Sequence, residues 1–273
     1  MPTQPYAFDA RVEEHRRLSA QSAIFDPLTE RLFVAAGLRP GMRVLDLGTG
    51  AGSVAMLAAR LVSPGGAVVS VDRDGAALSL AHDHARRERV TNVEFLEGDL
   101  SVPELPGGHF DAVVGRLVLM YLPDPAATLR AAALRLRPGA VVCAQEPSFG
   151  AGASVPATPL LHRMHTAIAT TLDRAGADPD MGLRLHRVFA QAGLPRPELR
   201  GETVLAGGPD APVWAWGNIA RGLAPLMERL GVEGADAARS ATLDACLLAE
   251  LREEDGLLMS PLMVGAWATM PPG

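Results

Sequence analysis

The sequence predicts an α/β fold built on a doubly wound, mostly parallel sheet, and three observations carry that prediction. From about residue 42, short β-rich runs alternate with helix-like runs. Clusters of Gly and Pro punctuate the junctions. The first β-rich run ends in a carboxylate followed by glycines at alternate positions, "DLGTGAG". Strands alternating with helices argue for parallel neighbours joined by right-handed crossovers.

Taken in order, residues 10–38 read as helix, interrupted at Pro27. Strand runs follow at "MRVLDL" (42–47), "AVVSVD" (67–72), "NVEFLE" (92–97), "FDAVVG" (110–115) and "AVVCAQ" (140–145). Between them "SVAMLAARLV", "GAALSLAHDHARRE" and "AATLRAAALRLR" have helical spacing and good helix formers. Turn signals stand at "SPGG" (63–66), "LPGG" (105–108) and "RPG" (137–139). After residue 146 the alternation stops. "SFGAGASVPATP" reads as a loop, "LLHRMHTAIATTLDRAGA" as an amphipathic helix and "LHRVFAQAGL" as a short one. "PELRGETVLAG" (197–207) is a candidate strand, 211–231 and 236–252 are helical, and "LMSPLMVGAWATM" (258–270) is a candidate closing strand. The expected organisation is an N-terminal helical lid (1–38), a cofactor-binding core (39–150), a helical cap insertion (151–196) and a C-terminal part returning strands to the sheet with additional helices (197–273).

Composition removes several classes of function. All 25 basic residues are arginine, so neither a lysine Schiff base nor a P-loop lysine is available. The net charge is −6, and the one basic cluster, "ARRER" (85–89), lies in a helix-like stretch. Nucleic acid as a partner calls for a larger basic footprint. Cys143 and Cys246 lack the spacing of a disulfide framework or a metal site, and no metal ligand set is expected. With no apolar leader in residues 1–15 and no run of 18 uncharged apolar residues, the expectation is a cytoplasmic protein without a membrane partner.

The glycine turn says what kind of ligand to expect. In an open parallel sheet, ligands gather at the carboxyl ends of the strands where strand order reverses. Asp46 ends the first strand, and Gly48-Thr49-Gly50-Ala51-Gly52 leads into the next helix. A dinucleotide fingerprint requires G-x-G-x-x-G, but here the third glycine comes one residue early and Ser53 occupies its place. A carboxylate two residues before the first glycine repels pyrophosphate, whereas it holds an ammonium through charge-assisted hydrogen bonds or water. That favours S-adenosylmethionine. Asp72, twenty residues beyond Gly52, is placed to accept ribose hydroxyls, a device that NAD enzymes share. Asp99, ending the third strand in "EGDL", reads equally as an acceptor for an adenine amino group or as a turn residue.

The runs "VLDLGTGAGS", "VVSVDRD", "VEFLEGDL" and "FDAVVGRLVLMYLPDPAATLRAAALRLRPGA" together resemble the class I S-adenosylmethionine-dependent methyltransferases, over roughly residues 31–146. The resemblance implies a seven-stranded, mostly parallel sheet with an antiparallel last strand, helical cap insertions and S-adenosylmethionine as cofactor. It also implies that Asp46, Gly48 and Gly50 line the methionine end, Asp72 the ribose, and Asp99 and Leu100 the adenine, with Thr49, Gly52 and Arg73 also among the cofactor-binding residues. Arg116 and Leu117, just past the fourth strand, would lie beneath the sulfonium. Arg116 departs from the small polar residue common there and reads as a salt bridge either to the cofactor carboxylate or to an acidic neighbour. Gln21, with Tyr6 and Arg17, belongs to the segment that closes over the cofactor in similar enzymes.

Methyl transfer is an in-line displacement, so the protein mainly positions the acceptor and excludes water. A base is useful where the acceptor is, for instance, a phenol with a pKa of about 10. Candidates are His162 and His165, three apart and hence expected on one helix face, and Glu146 and Tyr121, past the fifth and fourth strands. No "NPPY"-like tetrapeptide of nucleobase methyltransferases follows strand four, and no acidic cluster suggests the magnesium-dependent catechol enzymes. The reading is methyl transfer, most readily at oxygen, to a small, partly apolar metabolite, with a homodimer compatible. The alternatives are a cyclisation or rearrangement on the same fold, and a non-catalytic cofactor-binding regulator.

Overall fold

The structure is a computed structural model that describes residues 11–101 and 105–273; the side chains of residues 11–21 and 23 fall outside that description. Helix α1 (Arg11–Ala35) opens the described chain, followed by β1 (Arg43–Leu47), α2 (Ser53–Leu61), β2 (Ala67–Asp72), α3 (Gly75–Glu88), β3 (Val93–Glu97) and β4 (Phe110–Arg116). A 3₁₀ turn (Leu119–Tyr121), α4 (Pro125–Ala133) and β5 (Leu136–Ser148) come next. Then follow β6 (Ser154–Val155), α5 (Pro159–Arg174), α6 (Met181–Ala192), β7 (Glu198–Glu202) and β8 (Leu205–Gly207). The chain ends with α7 (Trp214–Arg229), α8 (Ala235–Arg239), α9 (Leu243–Glu253), β9 (Leu257–Met259) and β10 (Leu262–Thr269).

The main sheet has seven strands in the order β3-β2-β1-β4-β5-β10-β7. Pairings β1–β2, β1–β4, β2–β3 and β4–β5 are parallel. Strand β10 runs against β5: Gly139 N–H donates to the Pro271 carbonyl and Met270 N–H to the Ala140 carbonyl, partners that advance in opposite directions. The predicted doubly wound sheet with an antiparallel last strand is therefore present. Strand order reverses between β1 and β4, which puts the carboxyl ends of these two strands at the crevice where such sheets bind ligands. Central strands are apolar on both faces, as burial beneath helices on each side requires. Phe33, Val44, Leu57, Val62 and Val114 belong to one packed cluster on one side of the sheet. Helices start where short polar side chains cap them: Asp74 accepts from Ala76 N–H at 2.8 Å, and Asp124 from Ala127 N–H at 2.9 Å just before Pro125.

Two compact units result. One comprises Ser22–Pro147, Met181–Gly201 and Met263–Gly273 and holds the large sheet; the other takes in Ser148–Asp180 and Glu202–Leu262. Within the second unit, helices α5, α7, α8 and α9 accompany a separate sheet ordered β6-β9-β8.

The structure corrects the sequence reading at several boundaries. Helix α1 is not interrupted at Pro27 but runs through it. An interior proline costs a helix roughly 3 kcal/mol. Here its ring is exposed, while Phe25, Leu28, Leu32 and Phe33 are buried and Thr29 Oγ1 donates to the Phe25 carbonyl at 2.9 Å. The fourth helix ends at Ala133 rather than continuing to residue 137; Pro138 disfavours a helical residue before it, and Leu136 already pairs with Phe110. The run 197–207 splits into β7 and β8, and 258–270 into β9 and β10, with each pair divided between the two sheets. Both breaks fall at one place, where Thr203 Oγ1 donates to the Ser260 carbonyl at 2.8 Å and Val204 N–H donates to Ser260 Oγ at 2.9 Å. Pro261, without an N–H, follows at the switch. The loop expected at 148–159 carries β6, and 236–252 is two helices separated at Ser240.

Candidate functional site

Strand β1 delivers Asp46 between Ser70 of β2 and Val114 of β4, and the carboxylate is fully buried. Ser70 Oγ donates to its Oδ2. Its Oδ1 and the neighbouring Thr49 Oγ1 are buried and make no hydrogen bond of normal geometry among the described residues, though the Thr49 hydroxyl lies close enough to act on the carboxylate. Burial raises the Asp46 pKa to about 7; the Ser70 and Thr49 hydroxyls pull it back, Asp72 raises it further and Arg116 lowers it. A carboxyl group that is half ionised near neutrality, with an orphaned oxygen, lacks a cationic partner.

The glycines that follow all take left-handed backbone conformations, with φ of 69° at Gly48, 50° at Gly50 and 87° at Gly52. This conformation lets the N–H groups of Gly48 and Thr49 both reach the Val71 carbonyl, at 2.9 and 3.2 Å. The two ends of the turn differ in what surrounds them. A Cβ on Gly48 would stand 2.4 Å from Val118 Cγ2, whereas one on Gly50 would meet nothing within 4 Å. Gly48 is required by packing, and Gly50 borders open space.

Asp72, half-buried at the end of β2, accepts from Gly50 N–H at 2.8 Å through Oδ2 and from Asp74 N–H at 3.0 Å through Oδ1. It thus ties the glycine turn to the start of α3. Arg73 is exposed, and its charge helps to lower the Asp99 pKa. The larger cause there is the Ser101 N–H, which donates to Asp99 Oδ1 at 2.8 Å, so Asp99 serves as a turn residue in this structure. Leu100 is buried, and its carbonyl accepts from Thr128 Oγ1 at 2.8 Å.

Past β4, Leu117 takes a left-handed conformation with φ of 58°, a strained choice for a branched side chain at a crevice edge. Arg116 takes the second of the two partners weighed from sequence: its Nη1 donates to Asp26 Oδ1 and to Thr29 Oγ1, both at 2.8 Å. Thr29 Oγ1 in turn donates to Gln145 Oε1 at 2.7 Å. This chain ties α1 to the ends of β4 and β5. Ser22 Oγ, 2.6 Å from Ser53 Oγ, ties α1 to the start of α2. Glu146, placed among catalytic candidates, is fully buried and accepts through Oε1 from the N–H groups of Val118 and Leu119 at 3.0 and 2.8 Å. It shapes the turn that ends in half-buried Tyr121.

His162 and His165 do not share an environment: His162 is exposed and His165 buried. Three residues advance a helix by less than a full turn, and the burial boundary of α5 falls between them. Tyr6 and the side chains of Arg17 and Gln21 lie outside the described residues. The sequence reading missed Asp26, Thr29, Ser70 and Gln145. Ser70 had a signal, as the one polar residue within "AVVSV" beside an acidic strand end.

A family model described as "Methyltransferase domain" matches residues 38–193, more than half of the chain. The chain belongs to the class I S-adenosylmethionine-dependent methyltransferases. It is 39% identical over 113 residues to an arsenite methyltransferase of Aquipseudomonas alcaligenes, covering 39% of this chain and 33% of that protein. It is 36% identical over 115 residues to nocamycin O-methyltransferase of Saccharothrix syringae, covering 42% of this chain and 41% of that protein. The chain thus spans less than half the length of these relatives. Its fold is similar to a crystal structure of a SAM-dependent methyltransferase from Aquifex aeolicus, with a TM-score of 0.50, 20% identity and coverage of 68% of this chain and 86% of that one. For this methyltransferase-family chain, S-adenosylmethionine is the cofactor that family and fold imply. Two observations fit it: the open space bordered by Gly50 and the orphaned oxygen of Asp46 in need of a cation. Among the described residues, no helix is long and apolar enough to cross a membrane.

Proposed function

We propose that the chain is an S-adenosylmethionine-dependent methyltransferase acting on a small, partly apolar metabolite, most readily at a hydroxyl oxygen. The observation that carries the reading is the turn at the end of β1, where a fully buried, half-ionised Asp46 stands next to backbone that opens at Gly50. Asp46 would hold the cofactor ammonium, the Gly48–Gly52 backbone would pass beside the methionine end, Asp72 would accept from the ribose hydroxyls, and Asp99 and Leu100 would flank the adenine. Bound S-adenosylmethionine supplies the electrophile, a methyl group on a cationic sulfur that leaves as a neutral thioether.

The chain's own contribution is positioning. Glu146 fixes the Val118–Leu119 amides, Val118 fills the space left by the missing Cβ of Gly48, and the strained Leu117 backbone between these groups is held in one conformation. Preference for oxygen is supported by the similarity to an O-methyltransferase, and preference for a small molecule over nucleic acid by the net charge of −6. The deciding experiment incubates the protein with methyl-labelled S-adenosylmethionine and a metabolite extract and follows label by mass spectrometry. A labelled methyl ether with stoichiometric S-adenosylhomocysteine is expected. Calorimetry showing tighter binding of NAD than of S-adenosylhomocysteine would sink the cofactor assignment.

A further inference from the structure

Helix α2 begins without a side-chain cap, because its N-cap residue is Gly52, at a φ of 87°. Helices α3 and α4 start on the carboxylates of Asp74 and Asp124, so the start of α2 must be fixed by other means. The backbone leading into it is also hard to fix. Glycines flank Ala51 on both sides, and glycine takes either sign of φ at little cost, so the peptides here can rotate unless their polar groups are bound.

The Ala51–Gly52 peptide is bound through both of its polar groups. Its N–H, on Gly52, donates to the Thr49 carbonyl at 2.8 Å within the turn. Its carbonyl, on Ala51, accepts from Nδ1 of His84, a half-buried residue of α3 that stands 33 positions further along the chain, at 3.2 Å. A carbonyl oxygen only accepts, so this bond places the ring proton on Nδ1. The same helix presses on the next residue. Ala81, fully buried and three positions before His84, has its Cβ 3.0 Å from where a Cβ on Gly52 would stand. One residue before Ala51, Asp72 Oδ2 accepts from Gly50 N–H at 2.8 Å. A strand-end carboxylate and an imidazole thus bracket the Gly50–Ala51 link, the stretch of the turn that borders open space at Gly50.

We propose that His84 is a positioning residue for the glycine turn: its Nδ1–H holds the Ala51 carbonyl toward α3 and so fixes the Gly50–Gly52 backbone that the cofactor meets. Without that donor the carbonyl is free to rotate toward the space beside Gly50, where it competes with the ligand, and α2 loses the contact that sets its start. The inference rests on the reading of this turn as the cofactor site, whereas the contact itself does not.

The test uses the full chain with S-adenosylhomocysteine as probe. His84→Leu keeps bulk but has no donor; His84→Asn is smaller but carries an N–H close to the place of Nδ1. Packing alone therefore ranks Leu above Asn, and a held carbonyl ranks Asn above Leu. Calorimetry should show affinity about tenfold lower in His84→Leu, the scale of one hydrogen bond, and within about threefold of the unaltered protein in His84→Asn. His82→Leu, altered at an exposed position of the same helix beside Phe95, should bind like the unaltered protein. ¹⁵N spectra of the unaltered protein should show the His84 ring proton on Nδ1. Amide hydrogen exchange at Gly52 should quicken in His84→Leu and recover in His84→Asn. Unchanged affinity in His84→Leu, His84→Asn binding no better than His84→Leu, or a ring proton on Nε2 alone would each overturn the role. The two readings fail separately. An unaltered protein that binds no S-adenosylhomocysteine breaks the cofactor reading, and the Gly52 exchange rates then decide whether His84 holds the turn. Normal binding with Gly52 exchange unmoved in His84→Leu breaks the His84 role alone.

Discussion

The two units handle buried polar groups in opposite ways. In the sheet-bearing unit, polar side chains at strand ends have specific partners: Asp72 accepts from Gly50 N–H, Glu146 from the Val118 and Leu119 N–H groups, and Arg116 donates to the Asp26 and Thr29 side chains of α1. Among the described residues, Asp46 Oδ1 and Thr49 Oγ1 are buried without a hydrogen-bond partner at the glycine turn. In the helical unit, His165 Nε2 on α5 and Thr158 Oγ1 at its N-cap are buried without a hydrogen-bond partner, beside aromatic rings and apolar side chains. The first arrangement suits a charged, polar ligand, and the second lies within a packed aromatic cluster.

The largest predicted contrast comes from adding a single methyl group to each unit. Gly48→Ala forces a Cβ into Val118 at a φ of 69°, and it should lower stability by about 2–3 kcal/mol and weaken S-adenosylhomocysteine binding more than about a hundredfold. Gly207→Ala in the small sheet meets its nearest neighbour at 3.7 Å in ordinary backbone, and stability should stay within about 0.5 kcal/mol. Urea melts and calorimetry check both. Similar losses in the two variants would remove the claim that the glycine turn is closely packed.

Ion pairs give the next contrast. Asp26→Ala strands Arg116, whose side chain is 6% exposed, and should cost about 2–4 kcal/mol. Asp244→Ala breaks the Arg221 pair of the helical unit, where the two partners are 33% and 37% exposed, and should cost under about 1 kcal/mol. If denaturant midpoints shift equally, the Arg116 chain is not the tie between α1 and the sheet.

How much of this was legible follows from the same difference. In the sheet-bearing unit, β2 and α3 fall on the residues expected, because each is a local run bounded by its own turn and cap residues. Asp46, the glycines and Asp72 are contiguous with those runs, so their neighbourhood could be read. The partners of Arg116 could not, because Asp26 and Thr29 lie 90 and 87 residues away and only tertiary packing brings them in. The helical unit is harder still. Its small sheet consists of strands two or three residues long, too short for a periodicity, and continuous apolar runs at 197–207 and 258–270 conceal the switch at Ser260. Nothing in the spacing of His162 and His165 tells which of them is buried.

The finest contrast is in pH. The Asp46 pKa is raised in the ligand-free protein from 3.8 to about 7, so its folded state binds the proton more tightly than the unfolded chain. Its contribution to stability is fully present below pH 3.8 and is lost as pH rises through about 7. Cofactor binding runs the other way, since an ammonium requires the carboxylate. Affinity for S-adenosylhomocysteine should therefore rise about tenfold between pH 6 and pH 8, with proton release near pH 7 detectable as a dependence of the calorimetric enthalpy on buffer. His165 shifts oppositely: its folded pKa lies below 6.5, so burial costs stability as pH falls through 6.5. Asp46→Asn should flatten the cofactor profile. A cofactor profile that keeps its slope in Asp46→Asn would assign the titration to another group and leave the orphaned oxygen without a ligand to explain it.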